Sequence, residues 1–155
     1  MAGAAIGAVA PEFELPRDGG GTLRLSDLGG RPVVLFFYPK DDTSACTAEA
    51  IDFSMLQPEF ERAGAAVVGI SPDSQKKHDK FKAKHKLTVT LLSDEDKSTL
   101  QAYGVWGEKT LYGRKYLGVI RTTYLIGADG RFVRIWPQVR VPGHAAEVLE
   151  AVRVL

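Results

Sequence analysis

One residue of this chain suits nucleophilic or redox chemistry by both its type and its place. Cys46 is the sole cysteine among 155 residues. It follows the apolar run at residues 33–38 through a short polar stretch, Pro39-Lys40-Asp41-Asp42-Thr43-Ser44-Ala45, and opens a segment of helical composition. The first N–H groups of a helix have no intrahelical partner, and the helix dipole favours an anion there. A sulfur in that place is drawn toward the thiolate, which is the nucleophilic form. The C-terminal end of a buried strand is also where α/β sheets gather ligands. A buried structural cysteine is the plain alternative.

Three other cysteine chemistries fail on the same residues. A tyrosine-phosphatase loop needs an arginine six positions after the cysteine, and that position is Asp52. A cysteine protease needs a histidine base. His78 and His85 fall on a basic helix and His144 near the start of the last helix, so each reads as a solvated residue. A dithiol motif needs a second cysteine three residues before Cys46, where Thr43 stands. Its hydroxyl can donate to or accept from a thiolate or a substrate oxygen. One cysteine also means no intrachain disulfide and no multi-cysteine metal site. No metal and no cofactor are expected.

The elements that must position Cys46 follow from the apolar pattern. Residues 33–38 (VVLFFY), between Pro32 and Pro39, predict a strand buried on both faces. Residues 65–70 predict a second strand, Leu91 and Leu92 mark a shorter third, and residues 120–126 and 131–136 supply two more. Ala128-Asp129-Gly130 joins that last pair as a hairpin, so the two are antiparallel. Helices are expected at residues 46–54 and 57–63, the second with Pro58 in its first turn and Gly64 as its stop. Another spans 74–86, capped by Asp73 and anchored by Phe81 and Leu87, with a basic outer face. Residues 96–103 and 143–155 complete the set, the latter with Ala146, Val148, Leu149 and Val152 at helical spacing. Residues 104–118 mix glycines, aromatics and charges without a period and are expected to form a mobile loop. The alternation predicts an α/β sheet with a parallel part and an antiparallel edge, in a single domain over residues 1–155.

Composition narrows the partners. Apolar residues make up 45% and charged residues 25%, as in soluble globular proteins. Lys and Arg number 20 against 19 Asp and Glu, so neither nucleic acid nor an anionic membrane is an expected partner. No apolar run approaches the ~20 residues that span a bilayer. Ala8-Val9-Ala10 has the look of a signal-peptidase site, but no Lys or Arg precedes it. The expectation is a cytoplasmic protein, which a lone thiol fits.

The local pattern then becomes specific. Pro39-x-x-x-Thr43-x-x-Cys46 resembles the peroxiredoxin active-site motif, and its flanks, residues 33–43 and 46–50, resemble the bacterioferritin-comigratory-protein (peroxiredoxin Q) branch. Ordered matches continue through Ala10-Pro11-Glu12-Phe13, Leu25-Ser26-Asp27-Leu28, Gly69-Ile70-Ser71-Pro72-Asp73 and Arg121-Thr122-Thr123-Tyr124-Leu125-Ile126, nearly the whole chain. The resemblance implies a thioredoxin-like fold and thiol-dependent reduction of hydrogen peroxide or organic hydroperoxides. It casts Cys46 as the attacking thiolate, Thr43 as its hydrogen-bond partner and the substrate's, and Pro39 as the residue that shapes and shields the loop. It places Arg121 beside Cys46 to stabilise charge on the sulfur and on the breaking O–O bond. Glu49 would orient Arg121 through an ion pair; alone, it reads as a favourable acid in a first helical turn.

One departure matters. Many relatives in this branch carry a second, resolving cysteine five residues after the first, where Ile51 stands, or on a later helix, where Lys82 stands. A one-cysteine cycle is therefore expected. Cys46 would become a sulfenic acid, reduced by an external thiol such as thioredoxin, glutaredoxin or a small thiol, or through a second subunit. The rival readings are a peroxide sensor or thiol-switch binding protein that does not turn over, and an inactive scaffold. A monomer or a weak homodimer is expected.

Overall fold

The computed structural model describes residues 5–155, so the first four residues of the leader-like stretch lie outside the described residues. In chain order the elements are β1 (Glu14–Pro16), β2 (Thr22–Arg24), a 3-10 turn (Leu25–Leu28), β3 (Val33–Phe37), α1 (Ser44–Arg62), β4 (Ala66–Ser71), α2 (Gln75–His85) and β5 (Thr90–Ser93). The second half adds α3 (Ser98–Ala102), β6 (Trp106–Leu111), β7 (Arg114–Val119), β8 (Thr122–Ile126), β9 (Phe132–Trp136) and α4 (His144–Arg153).

Five strands make the central sheet in the order β5-β4-β3-β8-β9. β3, β4 and β5 are parallel, and β8 and β9 run antiparallel beside β3. The unbroken apolar run of β3 has a direct cause. Val34, Phe36 and Tyr38 enter the core beneath α1, α2 and α4, while Val33, Leu35 and Phe37 enter the opposite core with Tyr103, Tyr124 and Phe132. A strand covered on both faces cannot alternate with polar residues. The fold is the mixed α/β, thioredoxin-like architecture that the resemblance implies.

Several expectations need correction. The two helices expected at 46–54 and 57–63 are one helix, α1, which passes through Pro58. Proline removes the N–H that would bond the carbonyl four residues back. That carbonyl belongs to Ser54, and it is reached instead by the Thr88 hydroxyl at 3.3 Å, which also contacts Gln57. The residue that caps α2 is Ser74, which accepts from the Lys77 N–H; Asp73 turns inward to Ser71 and the Asp41 N–H. Residues 104–118 are mostly not loop. β6 and β7 pair in register from Trp106↔Val119 to Leu111↔Arg114, closed by Tyr112 and Gly113, both at positive φ. Two such residues make the primed turn that suits hairpin twist. The β1–β2 hairpin had no counterpart in the sequence reading. Finally, His78 and His144 are buried, not solvated.

Candidate active site

Three segments converge on Cys46. The first is the loop from Tyr38 to Thr43, which leaves β3 at the sheet's C-terminal edge. The second is the opening turn of α1. The third is the link between β7 and β8, which carries Arg121.

α1 begins at Ser44 with Thr43 as its N-cap in extended conformation. The first backbone bond of the turn is Thr47 N–H to the Thr43 carbonyl, 2.8 Å. The N–H groups of Ser44, Ala45 and Cys46 precede that ladder, and the dipole there favours negative charge. Cys46 is 2% exposed and packs in the core with Phe36, Ala50 and Phe53. The Thr43 hydroxyl donates to the Lys40 carbonyl at 2.8 Å. Its one proton is therefore committed, and toward any further group it acts as an acceptor.

Arg121 lies 75 residues from Cys46 in sequence and beside it in space. Its Nη2 donates to Cys46 Sγ at 3.2 Å and its Nη1 to Glu49 Oε1 at 2.7 Å. Backbone bonds on either side fix the segment: Ile120 N–H reaches the Val105 carbonyl, and the Arg121 carbonyl accepts from Val139 N–H. Burial works against the guanidinium's charge, but Glu49 and Cys46 more than offset it and hold its pKa above the ordinary value. Glu49 is 1% exposed. Burial raises its carboxyl to about 7 against the pull of Arg121, with a further push from Asp52. Its second oxygen, Oε2, is buried with no partner among the described residues. Cys46, Glu49 and Arg121 thus form one connected group, with Thr43 at its rim and half-buried Pro39 leading into the loop.

A second cluster, which sequence reasoning missed, holds the loop from behind. Asp41 Oδ1 accepts from the Tyr38 hydroxyl at 2.6 Å, and Asp41 Oδ2 meets His78 Nδ1 at 2.6 Å. His78 Nε2 donates to the Leu92 carbonyl, and the Asp41 N–H donates to Asp73 Oδ2. Asp41, Asp73 and His78 offer ligand atoms within 4.8 Å of one another. Hydroxyl and backbone groups already occupy those atoms, so the cluster serves as a buried hydrogen-bond network. Nothing in the lysine-rich sequence around His78 marks that histidine as buried. Asp42, at φ 62°, pairs outward with Lys84 and His85 of α2.

Comparison with known proteins agrees with this architecture. The AhpC/TSA family matches residues 6–135. Peroxiredoxin Bcp of Bacillus subtilis is 45% identical over 148 residues, covering 96% of this chain and 94% of that protein. Peroxiredoxin Bcp of Xanthomonas campestris is 42% identical over 155 residues, covering 99% and 97%. Among solved structures, a mutant of Xylella fastidiosa PrxQ superposes with a TM-score of 0.92 at 41% identity, covering 97% of this chain and 96% of that one. Xanthomonas campestris Peroxiredoxin Q gives 0.87 at 42%, covering 92% and 90%, and its structures include serine mutants at two different cysteines. With its sheet, its Pro39-x-x-x-Thr43-x-x-Cys46 loop and these relatives in agreement, the chain belongs to the AhpC/TSA family, among the Bcp and peroxiredoxin Q peroxiredoxins.

Proposed function

We propose that this thiol peroxidase reduces hydrogen peroxide and organic hydroperoxides by a one-cysteine cycle at Cys46. The observation that carries the reading is the Arg121 guanidinium shared between Cys46 Sγ and Glu49. The thiolate attacks one peroxide oxygen along the O–O axis. That bond breaks, and the distal oxygen leaves as water or alcohol, taking up from solvent the proton that the thiol released on becoming the thiolate. Cys46 is left as a sulfenic acid. Arg121 stabilises the sulfur anion and then the charge that grows on the parting oxygens. The Thr43 hydroxyl, its own proton engaged by Lys40, accepts the peroxide's O–H and sets its angle of approach. The free N–H groups of the first turn of α1 face the anion. Pro39 shapes the loop and keeps water from it. Glu49 fixes the guanidinium's second edge, so that the first points at sulfur.

Alkyl peroxide reduction is the activity that a trapped-intermediate structure of the Xanthomonas protein concerns, which supports the organic substrates. That protein has two cysteines that were mutated; this chain has one. The second half of the cycle therefore draws on an external thiol: thioredoxin, glutaredoxin or a small thiol. No described helix is long and apolar enough to cross a membrane. A cytoplasmic monomer or weak homodimer completes the reading.

Intact mass after one equivalent of hydrogen peroxide tests the assignment. The expected product is a chain one oxygen heavier, returned to its starting mass by a thiol, with neither change in Cys46→Ser. A Cys46→Ser protein that consumes peroxide at the parent rate refutes it. Oxidation without thiol-driven turnover favours the sensor reading instead.

A further inference from the structure

The β6–β7 hairpin brings one more cation to this site. Lys109 sits opposite Tyr116 across the hairpin. Its ammonium donates to the Val119 carbonyl at 2.9 Å, two residues before Arg121. The next cross-strand pair on the same face is Gly107 with Gly118. A Cβ on Gly118 would fall 3.1 Å from Lys109 Cδ and 3.3 Å from the Tyr116 ring. Bare backbone at Gly118 is what lets the lysine stem lie across the strands, with the Tyr116 ring centroid 6.0 Å from Nζ. The side chain is built into the hairpin, with its stem covered and its charge directed to one end.

Lys109 has no carboxylate partner among the described residues; its hairpin neighbour Lys115 holds Glu108, and Arg121 holds Glu49. The charges it does feel are those of the site. Burial and Arg121 push its pKa down, and Cys46 pulls it back up. Through the Val119 carbonyl, two residues before the Arg121 that holds Cys46, Lys109 is set on the flank of the site, where a Cys46 thiolate would offset its charge. Oxidation to a neutral sulfenic acid removes that negative charge. Arg121 keeps Glu49, and Lys109 keeps only the neutral Val119 carbonyl.

We propose that Lys109 selects the reducing thiol, drawing anionic thiols to oxidised Cys46. This deepens the one-cysteine reading and rests on it. The incoming thiolate sulfur bonds to Cys46 Sγ, the S–O bond breaks, and hydroxide leaves as water with the proton the thiol gave up. A second thiol then attacks the mixed disulfide, releasing Cys46 as a thiol and the two reductants as a disulfide. The two electrons come from the two thiols.

The test uses three small thiols of similar size: anionic 3-mercaptopropionate, neutral 2-mercaptoethanol and cationic cysteamine. Each is mixed with protein pre-oxidised by one equivalent of peroxide, and loss of the sulfenic acid is followed by quenched intact mass. The readout is the anionic-to-cationic rate ratio in the parent divided by that in each variant, which cancels the thiols' own reactivities. At low salt the anionic-to-cationic rate ratio of Lys109→Gln falls about fivefold below the parent's, so the quotient rises to about five, the size of a partly screened ion pair. Lys109→Arg retains the parent ratio, and so does Lys80→Gln on the exposed basic face of α2. An unchanged ratio in Lys109→Gln, or a loss in Lys80→Gln instead, overturns the assignment. If the parent forms no sulfenic acid at all, it is the one-cysteine cycle that fails.

Discussion

Glu49 carries an ionisable carboxyl into the core beside Arg121, where burial raises it to about 7 from an ordinary 4.5. The folded state therefore binds this proton more tightly than the unfolded chain. Stability from this group is complete below pH 4.5 and is lost as pH rises through 7. At 1.36 kcal/mol per unit the span amounts to about 3 kcal/mol. Glu49→Gln cannot titrate, so urea unfolding should show the variant gaining that much on the parent between pH 4 and pH 8. A difference that stays flat with pH rejects a carboxyl held near 7. The same variant leaves Arg121 a neutral acceptor in place of a carboxylate, which holds the guanidinium less firmly, and should slow peroxide consumption. Arg121→Ala should slow it further, by about 10²–10³, the usual scale for one donor to developing charge; stopped-flow peroxide kinetics measures both. Cys46 was legible in sequence because a strand end and a helix start announce themselves locally. Arg121 was legible only by resemblance, since a 75-residue separation is closed by the sheet. Asp41 and His78 carried no local signal, because their burial depends on where α2 lands.

Among the elements, α1 is where local reading and structure part. Pro58 suggests a break, and the helix continues through it with the Thr88 hydroxyl, at the approach to β5, set between the Ser54 carbonyl that proline leaves without a donor and Gln57 Oε1, which share its one proton. Thr88→Val should therefore cost about 1 kcal/mol, as an intramolecular hydrogen bond typically does. In a Pro58→Ala background the restored N–H can bond the Ser54 carbonyl, so the same change should cost less, the contact with Gln57 being lost in both backgrounds. Additive losses in that double-mutant cycle, read by chemical unfolding, sink the compensation. The central strands were legible because burial on both faces leaves an unbroken apolar run. The β6–β7 hairpin was not. Apolar side chains along it meet solvent, with Leu111, Tyr112 and Leu117 all exposed. That hides the two-residue period, and Tyr112-Gly113 is not the Asn-Gly pair that signals a primed turn.

Across the whole molecule, α2 is tied along its length to the loop that leads to Cys46 and to the β1–β2 turn. His78 meets Asp41, Lys84 and His85 meet Asp42, Lys82 meets Asp18, and Asp79 accepts from the Gly19 N–H. With Lys82 where relatives carry a second cysteine, nothing in a one-cysteine cycle requires this helix to open. Amide exchange over Gln75–His85 should accordingly match before and after oxidation by one equivalent of peroxide. A collapse of protection there would mean that the fold still rearranges. The exposed pairs contribute little each, and His78 is the pin. Its Nε2 must donate to the Leu92 carbonyl, so the 2.6 Å contact with Asp41 calls for a proton on Nδ1 as well. Burial opposes that charge, but the bond to Asp41 and its negative charge outweigh burial and raise the histidine above its ordinary 6.5. The stabilisation is thus full below pH 6.5 and fades as pH climbs through the raised folded value. His144 runs the other way: burial lowers it to about 4, so its share is full above 6.5 and fades on acidification. The two windows meet at pH 6.5, His144 acting below it and His78 above, so together they give the parent a stability maximum there. His78→Gln removes one of them, so it should cost most at pH 6, about 3 kcal/mol for a broken buried pair, and clearly less at pH 9. Thermal or urea unfolding at the two pH values decides it, since an equal cost at both would leave His78 a neutral spacer and the loop without its charged anchor.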